Sequence, residues 1–124
     1  MKIEPILIES INTIIYFYIG KNARDNFSII DISEPTDIWF HIDKESSCHV
    51  IARVPFNNYL NSQDLIENDE IIIRGALLCK NNTAKFKNSN TKITVIYDYL
   101  KNIKKTKTIG CVNINENTIK SIKI

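Results

Sequence analysis

The chain has 124 residues, 44% hydrophobic and 24% charged, with a net charge of only +2, values that suit one globular domain with its own core and leave no room for two. Its longest early apolar run, residues 14–19, is far short of the ~20 residues that cross a bilayer, and Glu4 and Glu9 interrupt the N-terminus where a secretory leader would be apolar. The cysteines, Cys48, Cys79 and Cys111, are odd in number and lack C-x-x-C spacing, which excludes a disulfide framework and points to a reducing, cytoplasmic setting without membrane insertion.

In chain order, residues 3–8 and 14–20 read as strands around a turn at 10–13, with Gly20 ending the second. Residues 22–32 fit a short amphipathic helix capped by Asn22, its apolar Ala23, Phe27 and Ile30 on one face. After the turn 33–36, strands over 37–42 and 49–54 flank a polar loop, 43–48. A longer helix is predicted over 62–79, capped by Asn61 or Ser62 and weakened by Gly75. A polar loop, 80–91, precedes strands at 92–99, 109–114 and 118–123, with the basic segment 101–107 between the first two. The expected fold is α+β: a single compact domain with a largely antiparallel sheet and two helices packed against it.

The modest net charge hides an asymmetry. Residues 1–79 carry a balance of −6, and residues 80–124, with ten lysines against Asp98 and Glu116, a balance of +8. A basic half hints at a polyanionic partner; exposed lysines that merely keep strand edges soluble are the plainer explanation.

The central hairpin is the most informative stretch. Alternate strand residues share a face, so Ile38, Phe40 and Ile42 form one apolar set and Val50, Ala52 and Val54 another. Turning both sets to one core fixes an even register, since a one-residue slip turns one set outward. Trp39, His41, His49, Ile51 and Arg53 then share the opposite face, with the two histidines as cross-strand neighbours or near-neighbours. Rings beside a guanidinium make a stacking surface for unpaired bases; equally, a helix covering this face would make Trp39 a core residue whose N–H has found a partner. A metal site from His41, His49 and a cysteine has no familiar ligand spacing. Nucleophilic catalysis by Cys48 or Ser47 needs a base within about 3 Å, whereas adjacent strand residues point apart. Neither a metal nor another cofactor is expected.

The segment Gly20-Lys21-Asn22-Ala23-Arg24-Asp25-Asn26, the strand Asp37-Ile38-Trp39-Phe40-His41 and the turn Ser46-Ser47-Cys48-His49-Val50 together resemble the NFACT-R family. That family's pattern is a glycine-initiated basic segment, a D-x-W-x-H strand and a short turn ending in H-V. The likeness continues through Lys104-Lys105, Gly110-Cys111-Val112 and the closing segment 117–124, nearly the whole chain. The 43–50 stretch looks most like the eukaryotic branch in which a stand-alone domain precedes a coiled coil. The larger branch, which works in ribosome-associated quality control, usually has Pro-Gly-Ser where this chain has Ser46, Ser47 and Cys48.

The resemblance implies a non-catalytic module that binds structured RNA, tRNA or ribosomal RNA, with a link to translation. It points to Lys21, Arg24 and Asn26 at the first helix (Asn26 equally a turn brace), Trp39, His41, Ser47 and His49 on the hairpin, and Lys104 and Lys105 in the basic segment. Lys44, Arg53 and Lys107, basic residues beside these, complete the candidate nucleic-acid-binding set. Asp37 reads better as a turn brace. The competing classes are an RNA-modifying enzyme with His41 or His49 as general base, a protein-interaction adaptor anchored on Trp39 and Arg53, and a DNA binder, since phosphate contacts do not separate the two nucleic acids.

Overall fold

The computed structural model describes residues 1–54 and 65–124. Its strands are β1 (Lys2–Ile8), β2 (Thr13–Ile19), β3 (Ile38–Ile42), β4 (Val50–Arg53), β5 (Thr94–Tyr99), β6 (Lys104–Lys105), β7 (Val112–Asn113) and β8 (Lys120–Lys123). The helices are α1 (Ala23–Asp31) and α2 (Asp69–Asn81). Six strands form one sheet in the order β1-β2-β4-β3-β5-β8, every pair antiparallel, while β6 and β7 pair only with each other. The α+β class with its antiparallel sheet is as expected.

The sheet separates two cores, and the parity of the central hairpin decides what enters each. Ile38 pairs with Ala52, Trp39 with Ile51 and Phe40 with Val50. Ile38, Phe40, Ile42, Val50 and Ala52 therefore join Ile8, Ile15, Phe17 and Val95 beneath Ile71, Ile72 and Ala76 of α2. Trp39 and Ile51 turn the other way, into a smaller core with Ile29 of α1, Leu100 and Ile103, bordered by Val112 of the β6–β7 hairpin.

α1 starts as expected: the Asn22 side chain accepts from the Asp25 N–H. Its inward face is different, centred on Asn26 and Ile29 with Phe27 and Ile30 half-buried, while Ala23 is exposed. The expectation weighed apolarity alone, and Asn26 is buried because its amide is used inside.

α2 starts at Asp69 instead of 62 and runs past 79 to Asn81, into the expected loop. The reason is a second cap signal: the Asn68 side chain accepts from the Ile71 N–H, and Asp69 and Glu70 fill the first turn, where negative charge suits the helix dipole. Leu65 and Ile66 are helical and buried ahead of this break, whereas the expected caps Asn61 and Ser62 lie outside the described residues. Gly75 keeps its place in mid-helix because a Cβ there would stand 2.3 Å from the Phe40 ring. The expected strand 109–114 shrinks to two residues, and its partner β6 comes from the basic segment, which had read as a connection.

Candidate functional site

At one end of the smaller core the sheet face is left partly uncovered. The β3–β4 loop, the start of α1, the tip of the β6–β7 hairpin and the loop after α2 surround a cavity of about 750 Å³, within the range of small-ligand sites. Trp39, His41 and His49 form its floor.

The three rings are packed against one another. Trp39 and His41 lie parallel, centroids 5.6 Å apart. His49 stands edge-on to both, 5.5 Å from Trp39 and 5.0 Å from His41. The histidines sit side by side just past the last ladder pair, Phe40 with Val50.

The hydrogen bonds assign different tautomers to the two histidines. Trp39 Nε1–H donates to His49 Nδ1 at 3.1 Å, so His49 carries its proton on Nε2, beside the Gly110 carbonyl. Burial, and then the neighbouring His41, depress its pKa to about 3; the Gly110 contact only partly opposes this. His49 is thus a neutral, 1% exposed link between the sheet and the hairpin. His41 donates from Nδ1 to the Ile42 carbonyl at 2.6 Å, which leaves Nε2 as a bare acceptor. Its pKa is lowered as well, chiefly by burial. The floor is therefore aromatic and uncharged at neutral pH.

The wall from α1 is locked to the floor. Asn26 Oδ1 accepts the His49 backbone N–H at 3.1 Å, and the Gly20 N–H donates to the His49 carbonyl at 3.0 Å. A Cβ on Gly20 would stand 2.1 Å from Asn26 Oδ1, so the glycine that opens the motif is what lets the amide in. Opposite, Gly110 has φ +84°, and a Cβ there would stand 2.7 Å from that of Ala23. Only glycine seats the hairpin tip against α1.

Ser47 Oγ accepts the Ile42 N–H and donates to the Cys48 carbonyl, bracing the loop from within. Lys44 sits at its apex in the left-handed region, φ 59°. The rim is charged but balanced: Lys21 and Lys44 face Asp43 and Glu45, and Glu45 is paired with Lys85 at 3.1 Å.

Of the residues singled out from sequence, Lys21, Asn26, Trp39, His41, Lys44, Ser47 and His49 meet around this cavity. Trp39, at 1% exposure, presents no face to solvent; it supports the two histidines. Arg53 lies at the far end of β4, roughly 13 Å along the strand from His49. Its Nε is 2.8 Å from Asp37 Oδ2 but not aligned for a hydrogen bond, so the attraction is coulombic. The guanidinium also lies over the Tyr18 ring.

Asp37 braces the turn, accepting the Glu34 and Val54 N–H groups. Burial pushes its pKa up against those bonds and Arg53. Arg24, Lys104, Lys105 and Lys107 lie outside the cavity on exposed surface. Lys105 is committed to Asp31 and the Phe27 ring, whereas Lys104 and Lys107 have no acidic partner among the described residues.

Asn82, Thr83, Ile96 and Ile109 also line the cavity; they lie in loops and on β5, and carry no local signal that marks them. Among the described residues no three His, Cys, Asp or Glu side chains converge to hold a metal ion. No described helix is long and apolar enough to cross a membrane.

Residues 6–116 match the model of the NFACT protein RNA binding domain. The chain belongs to this family. Relatives of this NFACT-R chain include coiled-coil domain-containing protein 25 of Danio rerio, 35% identical over 86% of the chain, and that of Bos taurus, 34% identical over 93%. The chain spans about half the length of these relatives, 49% and 53%. The same fold occurs in the C-terminal part of the fibronectin/fibrinogen-binding protein of Streptococcus suis, with a TM-score of 0.74 and 20% identity over all of this chain and 45% of that one.

Proposed function

We propose that this NFACT-R domain is a non-catalytic module for structured RNA, taking an unpaired base into the cavity while exposed lysines follow the phosphates. The observation that carries this reading is the contrast between floor and rim. An uncharged aromatic floor with one bare acceptor, His41 Nε2, suits a planar heterocycle, and it offers no buried cation to a phosphate. Lys21 and Lys44 on the rim, with Lys104 and Lys107 on the hairpin, supply the charge that a backbone needs.

Catalysis fits less well. Both His49 nitrogens are occupied, which leaves His41 alone among the floor histidines with a lone pair. Its depressed pKa makes it a weak base at neutral pH. The likeness of the motif set to a family with a branch in ribosome-associated quality control supports tRNA or ribosomal RNA as the target and the cytoplasm as the place.

Fluorescence anisotropy of the purified domain with a tRNA, an RNA hairpin, a fully paired RNA and a DNA duplex, across a salt series, tests the proposal. The expected result is micromolar or tighter binding to the tRNA and hairpin, steeply salt-dependent, and weaker binding to the fully paired RNA. His41→Ala should cost about 1–3 kcal/mol with the looped RNAs and little with the paired one. Equal affinity for DNA would move the reading to a general polyanion binder. No binding at low salt would overturn it and leave the cavity as a docking site for a protein.

A further inference from the structure

Two of the three cysteines, 31 positions apart in the chain, meet behind the cavity wall. Cys48 ends the β3–β4 loop and is half-buried, with a share in the cavity lining; Cys79 lies in the last turn of α2, fully buried. Their contact is reciprocal: Cys48 Sγ is 3.5 Å from the Cys79 carbonyl, and Cys79 Sγ is 3.4 Å from that of Cys48. Thr83 Oγ1 lies 3.6 Å from Cys48 Sγ, and Ser47 Oγ 3.9 Å from Cys79 Sγ.

The strand parity that sends His49 to the smaller core turns Cys48 toward α2. Cys48, half-buried, is the more accessible of the two thiols, and Cys79 lies fully buried against it. This is the arrangement of an attacking cysteine with a resolving partner.

We propose that Cys48 and Cys79 are a redox-active dithiol, oxidised by hydroperoxides to an intramolecular disulfide that ties the β3–β4 loop to the end of α2. Cys48 sulfur attacks the terminal peroxide oxygen. The O–O bond breaks, the alcohol (or water, from hydrogen peroxide) leaves with the thiol proton, and Cys48 becomes a sulfenic acid. Cys79 sulfur then attacks Cys48 sulfur; the S–O bond breaks, the S–S bond forms, and the hydroxyl leaves as water with the Cys79 proton. Two thiols lose two electrons to one peroxide. The partial exposure of Cys48 and the full burial of Cys79 assign attack to Cys48 and resolution to Cys79. Contact with the Cys79 thiol, and then the Thr83 hydroxyl, lowers the Cys48 pKa against the effect of burial, in the same sense. The chemistry stands whether or not the cavity takes RNA.

The test uses Cys111→Ser, which removes the exposed third thiol, treated with equimolar hydrogen peroxide and mapped by non-reducing peptide mass spectrometry. Expected are a peptide joining Cys48 to Cys79, the loss of two hydrogens from the intact mass, disappearance of both alkylatable thiols together, and their return with dithiothreitol. In Cys79→Ser/Cys111→Ser, Cys48 should instead accumulate as a sulfenic acid trapped by dimedone. Oxidation of Cys48 to sulfinic acid without the joined peptide, disulfides only between molecules, or two thiols that stay fully alkylatable would each overturn the proposal.

Discussion

His49 does two tasks with one ring: it accepts the Trp39 N–H and faces the Gly110 carbonyl with its own. His49→Ala would leave a buried indole N–H without an acceptor and a hole between the sheet and the β6–β7 hairpin, a loss of roughly 2–4 kcal/mol in denaturant unfolding. The sign of its pH dependence follows from linkage. The folded protein keeps His49 neutral to about pH 3, while the unfolded chain takes up a proton near its ordinary value of 6.5. His49 therefore withdraws stability as pH falls through that window, on the order of a few kcal/mol at its acid end. Asp37 acts in the opposite direction, because its raised pKa lets the folded state take a proton first. The decisive measurement is thus a difference: urea midpoints for the parent and His49→Gln should converge between pH 7 and pH 4. Parallel curves would mean that His49 titrates alike in both states.

At the scale of elements, α2 shows local propensity yielding to packing. Gly75→Ala would raise helix propensity by about 1 kcal/mol on an open surface. Here the added Cβ meets the Phe40 ring at 2.3–2.6 Å, and the expected result is a net loss of 1–3 kcal/mol from overpacking, visible as a lower thermal midpoint. Phe40 belongs to β3, so no scan along residues 62–79 could give that glycine its reason. The hairpin around residues 43–48 was legible because alternation, read from Ile38 to Val54, admits only even offsets, and any of these puts His41 and His49 on one face as neighbours or near-neighbours. The break ahead of α2 was not: Asn68 sits inside the apolar pattern of 62–79, and a scan that follows Leu65, Ile66, Ile72 and Ile73 as one helix passes over its cap signal. Nor was the cavity wall, since Thr83 and Gly110 meet His49 and Cys48 only through tertiary contacts. Arg53 shows the limit of face arguments. It shares its face with His49 as parity requires, yet lies too far along the strand to share a site.

At the scale of the whole molecule, the +8 balance of residues 80–124 does not form a uniformly basic surface. Lys85 and Lys105 are paired with carboxylates, and Lys80 is buried on the Thr91 and Ile124 carbonyls. Lys104 and Lys107 remain available. Their joint replacement by alanine should flatten the dependence of log K on log salt by slightly under 2, whereas Lys105→Ala alone should change it by well under 1; equal effects would show that the Asp31 pair opens on binding. The β6–β7 hairpin, which carries these lysines, shares no backbone ladder with the six-stranded sheet. Its attachment rests on Val112, the Gly110 seat against Ala23, the His49 contact and the hold of Lys105 on Asp31 and the Phe27 ring. Such a flap detaches at far lower cost than the sheet melts. In native-state hydrogen exchange the amides of 104–113 should trade for deuterium as one early cooperative group, while those of β3 and β4 wait for global unfolding, so that the roof of the cavity would open before its floor does.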